Sequence, residues 1–275
     1  MKRVCLYIVA MLACCQLSAQ TYDELITRAM NAVERDSLNQ AEAWFKKALQ
    51  KEPANMRNAL LLSNLGTIQR RMGKNKEALE SYSLALNLTP YSVTMLLNRG
   101  SLYLDMDYLD KAYVDYCNVI DLDEKNQEAL QFRAYIYMRR RQYQDAKNDY
   151  QSLLEAVPGD MTARIGMAMV YQKLQRYRES LEEFNRLIVD YPKDVSLLKA
   201  RAELEVEMNN LELALLDLES AAKLAPNDAE IYVMCGDIYM EQGRNREAYV
   251  AFEKAVELGV PRPELQDRLK ASKKK

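Results

Sequence analysis

Small and large apolar residues return along this chain with a fixed cadence. A small residue opens each phrase at Ala41, Ala78, Ala112, Ala146, Ser180, Ala214 and Ala248, spaced by 37 residues and then by 34 five times. Four places later stands a large apolar residue, and three places after that a smaller or branched one. The pairs are Phe45/Ala48, Tyr82/Ala85, Tyr116/Val119, Tyr150/Leu153, Phe184/Leu187, Leu218/Ala221 and Phe252/Ala255. Offsets of four and seven fall on one helical face, so each phrase predicts an amphipathic helix. Pro53, Pro90, Pro158, Pro192 and Pro226 recur at one phase after it. Proline has no amide hydrogen to donate and is expected to end the helix there.

Twelve residues before each phrase stands another small residue: Ala29, Gly66, Gly100, Ala134, Ala168, Ala202 and Gly236. It lies in a second amphipathic run, such as VTMLLNRGSLYLDM or EALQFRAYIYMRR, and a polar break such as GKNK or QGRNR separates the two runs. Each period therefore reads as helix, tight turn, helix. The paired small residues let the helices approach, and the large residue fills the remaining gap. One such pair cannot bury its apolar faces alone, so pairs must stack on their neighbours. A period of this length marks a repeat array.

On these residues the chain resembles the tetratricopeptide repeat family, matching its period, its small-residue pair, its aromatic and its closing proline. The resemblance covers seven units over 21–262, at about 22–55, 56–92, 93–126, 127–160, 161–194, 195–228 and 229–262. It implies an all-α fold, a right-handed superhelical solenoid of seven helix-turn-helix units. Departures are few. Glu124 replaces the third closing proline, Ser180 replaces an alanine, and the last unit ends GVPRP with its proline one place late. Three extra residues fall around Asn55 to Asn58, and these are expected to lengthen the next helix by about one turn. Residues 263–275, ELQDRLKASKKK after Pro263, predict a capping helix over the last unit, followed by a solvated basic tail.

The N-terminus, MKRVCLYIVAMLACCQLSAQ, departs from the cadence. Lys2 and Arg3 precede an apolar run from Val4 to Cys15, and no acid appears before Asp23. This layout predicts a secretory signal peptide over 1–20. The run is shorter than the roughly 20 apolar residues that span a bilayer. Cleavage after Ala19 or Gln20 leaves a soluble chain in the periplasm or cell envelope. MLAC, ending at Cys14, resembles a bacterial lipobox, in which Cys14 would carry lipid and tether an outer-membrane lipoprotein. Removing the segment takes Lys2 and Arg3 and leaves 36 basic against 40 acidic residues, from 38 and 40 in the whole chain.

Composition narrows the chemistry. The low Gly and Pro content, 8 and 7 in 275 residues, favours helix. The near-neutral charge argues against a dedicated nucleic-acid binder, which needs basic excess to displace counterions. There is no histidine, which removes Ser-His-Asp and Cys-His catalysis and imidazole metal sites. Three of the five cysteines lie in the leader. Cys117 and Cys235, 118 residues apart, read as small buried hydrophobes rather than a disulfide. No glycine-rich phosphate loop and no nucleophile with a base appears, and acid pairs such as Asp121/Asp123 read as solvated turns. No catalytic residue, cofactor or metal is expected.

The resemblance implies a non-catalytic protein–protein interaction scaffold. In that family the first helix of each pair lines a concave groove that holds a peptide or helical segment of another protein. Here the groove candidates are Arg70, Arg71, Leu97, Ser101, Leu104, Tyr135, Met138, Arg139, Met169, Gln172 and Lys173. Further on come Lys199, Glu203, Glu207, Val233, Asp237, Met240 and Glu241. The middle is mixed apolar and basic and the far end acidic, which suits a segment with apolar anchors and some acids. The Lys and Asn carboxylate clamp of one family variant is not found. In MRRRQ, Arg140 and Arg141 read as helix-terminal charges and Arg139 as a groove residue. Tyr82, Tyr116 and Tyr150 read as core, and Tyr137, Tyr171 and Tyr239 as interhelical packing. The expectation is an exported scaffold, monomeric in isolation, that binds another protein and neither nucleic acid nor membrane. The alternative is a structural subunit of an outer-membrane or secretion assembly, anchored through Cys14.

Overall fold

A computed structural model of the protein describes residues 20–273. The leader, with Cys14, lies outside the described residues, as do the last two lysines. The described residues form fifteen α-helices and one 3-10 turn, with no strand. Seven helix pairs follow one another: α1 (Tyr22–Glu34) with α2 (Leu38–Lys51), α3 (Asn58–Arg71) with α4 (Asn75–Leu88), α5 (Val93–Asp105) with α6 (Leu109–Leu122), α7 (Gln127–Arg139) with α8 (Tyr143–Ala156), α9 (Met161–Lys173) with α10 (Tyr177–Asp190), α11 (Val195–Glu207) with α12 (Leu211–Leu224), and α13 (Ala229–Glu241) with α14 (Asn245–Glu257). The 3-10 turn Arg262–Leu265 and α15 (Gln266–Ser272) close the chain. The helices group into two compact units, one ending at Ala129 and the other beginning at Leu130, inside the first turn of α7. Within each unit consecutive helix pairs pack together, consistent with a repeat solenoid.

The cadence has a direct packing cause. Ala41, Ala78, Ala112, Ala146, Ser180, Ala214 and Ala248 are all fully buried. The large residue four places on fills the space above the small residue of the first helix. At Gly236 the Phe252 ring lies so close that an added Cβ would sit 2.4 Å from it. Tyr82 covers Gly66 in the same way, and its hydroxyl shares a 3.0 Å hydrogen bond with Thr67 Oγ1. Ser180 is accommodated without a penalty, because its Oγ donates to the Ala168 carbonyl at 2.8 Å.

Each tight turn holds one residue in the left-handed region: Asp36, Gly73, Asp107, Arg141, Gln175, Asn209 and Gly243, with φ from 55° to 73°. The next residue donates its amide back across the turn at 2.8 Å, as from Lys74 to the Gln69 carbonyl and from Arg176 to the Tyr171 carbonyl. This bond satisfies a helix-terminal carbonyl and fixes the angle between paired helices.

Two expectations are modified. The closing prolines do sit two residues beyond the second helices, but α6 ends at the same phase without one, before Asp123 and Glu124. The stop coincides with one residue outside the helical region, φ between −129° and −147° with ψ between 65° and 90°, at Glu52, Thr89, Asp123, Val157, Tyr191 and Ala225 alike. Proline is therefore not required for the stop. The extra residues before the second pair do not add a helical turn: α3 gains one residue over its counterparts, and 52–57 form turns. Asn55 and Asn58 hold that junction. Asn55 Oδ1 accepts from the Arg57 amide, and buried Asn58 donates to the Glu52 and Pro53 carbonyls while accepting from the Tyr22 hydroxyl at 2.8 Å. At the other end, Leu265 and Leu269 bury themselves against Ala248, Phe252 and Ala255, which is the expected cap.

Candidate protein-interaction face

The first helices of the pairs carry the residues expected to meet a partner. In the first unit, α3 sits between two acids supplied by neighbouring repeats. Arg71 Nη2 donates to Asp36 Oδ1 at 2.8 Å, in the turn after α1. Arg70 reaches the other way, donating to Asp105 Oδ2 at 2.9 Å and to Ser101 Oγ at 3.0 Å on α5. Arg70 and Ser101 are thus brought together, while Arg71 points toward a different repeat. Leu97 is half-buried on α5. The basic character expected here is balanced by Asp36 and Asp105, residues about one repeat away. Such partly exposed pairs are each worth about 1 kcal/mol or less, so a partner's acid can exchange for them at little cost.

In the second unit, Arg139 donates to the Tyr135 hydroxyl at 3.0 Å, and its guanidinium lies 5.9 Å from the ring centroid. Tyr135 is 43% exposed and Met169, at the same phase one repeat later, 44%. Met138 is half-buried and packs on the cluster that includes Ala134, Tyr150 and Met167. Lys173 faces Glu207 at 3.7 Å. Lys199 bonds Asp228 at 3.1 Å and also Glu230, and Asp237 accepts from Arg268 of the cap at 2.8 Å. Gln172, expected on this face, is instead buried. Burial raises the Glu203 and Asp237 carboxyls above their ordinary range; at Glu203 the nearby Glu230 adds to it, and at Asp237 the Arg268 charge opposes it.

A second set of residues has a structural role that the cadence did not reveal. One place before the small residue of the first helix stands an arginine in four repeats: Arg28, Arg99, Arg133 and Arg201. In three of them an aspartate sixteen residues later takes a bidentate ion pair: Arg99 with Asp115, Arg133 with Asp149, and Arg201 with Asp217. The aspartates are buried, and Arg99 and Arg201 also reach back to Ser83 and Asn185 on the preceding second helix. The recurring spacing of sixteen was the available signal. The expected interhelical tyrosines lie beside cations: Arg133 is 5.8 Å from the Tyr137 ring, and Arg176 and Arg244 cover Tyr171 and Tyr239; Arg99 lies likewise 5.8 Å from Tyr103, at the same phase one repeat earlier. Among the described residues no group of Cys, Asp and Glu side chains is arranged to hold a metal, and no helix is long and apolar enough to cross a membrane.

This architecture defines a class, a stack of helical hairpins with exposed first-helix faces. Family models of the tetratricopeptide repeat match residues 61–91, 93–126, 137–204 and 229–258, more than half of the sequence. The crystal structure of a tetratricopeptide repeat protein from Parabacteroides merdae ATCC 43184 is 36% identical, with a TM-score of 0.76 over 93% of this chain and 100% of that one. The chain belongs to the tetratricopeptide repeat family. YrrB, described as a TPR protein with an unusual peptide-binding site, shares the fold at 18% identity and a TM-score of 0.53, over 71% of this chain and all of that one. A UDP-N-acetylglucosamine–peptide N-acetylglucosaminyltransferase of Giardia intestinalis is 39% identical over 66 residues, 24% of this chain. The match spans 4% of that transferase. The tetratricopeptide fold is that of a protein–protein interaction scaffold.

Proposed function

We propose that the protein is an exported, non-catalytic scaffold of the cell envelope that seats a segment of another protein on its first-helix faces. The observation that carries this reading is the pair Tyr135 and Met169. Two large apolar side chains stand exposed at one phase of successive first helices, with Arg139 against the tyrosine. Exposed aromatic and methionine surface beside a cation suits a partner segment with apolar anchors and flanking acids. Arg70, Arg71, Leu97 and Ser101 form the corresponding face of the first unit. Export rests on the basic start, apolar run and small-residue end of the leader.

A photo-crosslinking amino acid placed at 135 or at 169, in the native host, tests the reading. One envelope protein captured from both positions, and not from exposed Tyr91 in an inter-repeat turn, is the expected result. Equal capture from Tyr91, or none from 135 and 169, would remove the first-helix face from the binding role. Fractionation of the same cells tests export, since an envelope scaffold must leave the cytoplasm.

A further inference from the structure

Between α12 and α14 the second unit opens a groove of about 990 Å3 on the side away from the first-helix face, with Cys235 and Tyr239 of α13 among its lining. Its two walls carry triplets of opposite sign, and Glu247 of α14, also in the lining, is taken by Arg244 at 3.1 Å. Along α12 run Glu212, Leu216 and Glu219, and along α14 run Arg246, Val250 and Lys254. Spacings of three and four place each triplet on one helical face. Leu216 is 58% exposed and Val250 62%, so each wall presents an apolar centre flanked by like charges.

Among the described residues the triplets form no ion pair with each other across the groove. Glu219 pairs along its own helix with Lys223 at 3.0 Å, and Lys254 with Glu257 at 3.2 Å. Glu212 accepts from Gln242 at 3.0 Å and lies 3.9 Å from Arg244, both in or beside the turn after α13. These are exposed local contacts, worth little and readily exchanged. An acid–apolar–acid row and a base–apolar–base row on one surface are self-complementary under a two-fold axis, because each row meets the other on the second copy.

We propose that the occupant of this groove is a second copy of the same chain. Helix α14 of each copy lies along α12 of the other in a symmetric dimer. Because α12 and α14 run parallel, the two-fold axis lies along them: Val250 packs on Leu216, and Arg246 and Lys254 face the acids Glu212 and Glu219. The first-helix faces remain open to a partner protein, so this dimer stands or falls independently of the function proposed above.

Sedimentation of the full chain under reducing conditions, from low to high micromolar concentration, tests it. The native protein should show a concentration-dependent monomer–dimer equilibrium that weakens with salt. Lys254→Glu and Glu219→Lys should each weaken the dimer by about tenfold or more, since each sets like charges against one another twice. The double variant Lys254→Glu/Glu219→Lys should recover it, which also shows that loss in the single variants is not misfolding. A chain that stays monomeric throughout overturns the proposal and leaves the groove to a different protein. A dimer indifferent to the single reversals, or one not recovered by the double variant, overturns it equally.

Discussion

The third and seventh repeats share a backbone and differ in one bridge. In both, an aromatic ring packs on a glycine of the first helix, Tyr116 on Gly100 and Phe252 on Gly236. In both, a left-handed residue makes the turn, Asp107 in one and Gly243 in the other. One place before the glycine they part. Arg99 in the third repeat ties Asp115 of its own second helix to Ser83 of the preceding one. The seventh repeat has Cys235 there and Ala251 sixteen residues later. Burial pushes the Cys235 thiol up to about 11, so it stays neutral near pH 7 and brings no charge to replace the guanidinium. The aromatic–glycine packing thus forms the hairpin with or without the ion pair. What the pair adds is a filled seam between successive second helices, and in the seventh repeat, which lacks it, the seam is an open groove.

The largest test of this contrast is Asp115→Ala. It leaves Arg99 with its main counter-ion removed in a mostly buried position, and should cost about 3–5 kcal/mol in a chemical denaturation curve. Arg99→Met with Asp115→Leu removes both charges and fills the seam with apolar atoms, and should recover most of that loss. If Asp115→Ala alone is nearly neutral, the bridge is ornamental and the two repeats are energetically alike.

A second bridge can be titrated without mutation. Buried Glu42 on α2 accepts from Lys46 at 2.7 Å, from Lys74 at 2.6 Å and from Gln69 at 3.3 Å, joining the first two repeats as Arg99 joins the second and third. Burial acts to raise its carboxyl, but the bonds from Lys46, Lys74 and Gln69 overcome this and hold it at about 2, against an ordinary 4.5. The folded state therefore releases this proton more readily than the unfolded chain. Its stabilisation is present above pH 4.5 and is lost as pH falls toward 2. The loss should be on the order of 2 kcal/mol across that window. Glu42→Gln should flatten this part of the stability–pH profile, and an unchanged profile would show that the carboxylate is not coupled to folding.

The fold was legible because its signal is periodic. Seven repetitions of one face pattern fixed the helix pairs, their phase and the capping segment, and packing of rings on small residues is what the pattern encodes. Features peculiar to one repeat were harder to read. The 52–57 junction depends on where Asn55 and Asn58 send their side chains, and an inserted residue looks the same in sequence whether it extends a helix or a turn. The candidate face was legible residue by residue but not in its charge. Arg70 and Arg71 look basic until stacking places Asp105 and Asp36, about 35 residues away, against them. The groove at Cys235 was invisible for a related reason: it opens at a repeat with no arginine at that phase, and the value of that phase emerges only when Arg99, Arg133 and Arg201 are seen with their aspartates.

The smallest expected effect lies in the turns. The seventh repeat places Gly243 at the left-handed position with φ 72°, while the fifth places Gln175 there with φ 57°. A side chain with a Cβ pays about 1 kcal/mol for that conformation, and glycine does not. Glycine also makes the unfolded chain more flexible, which offsets about 0.5 kcal/mol of the relief. Gln175→Gly should therefore stabilise the protein by about 0.5 kcal/mol, raising the melting temperature by about 1–2 °C. Gln175 is exposed and its backbone bond to the Gln172 carbonyl does not depend on its side chain, so little else changes. A destabilised Gln175→Gly would show that the glutamine side chain contributes a contact worth more than the strain, and that the turn of the fifth repeat is held differently from that of the seventh.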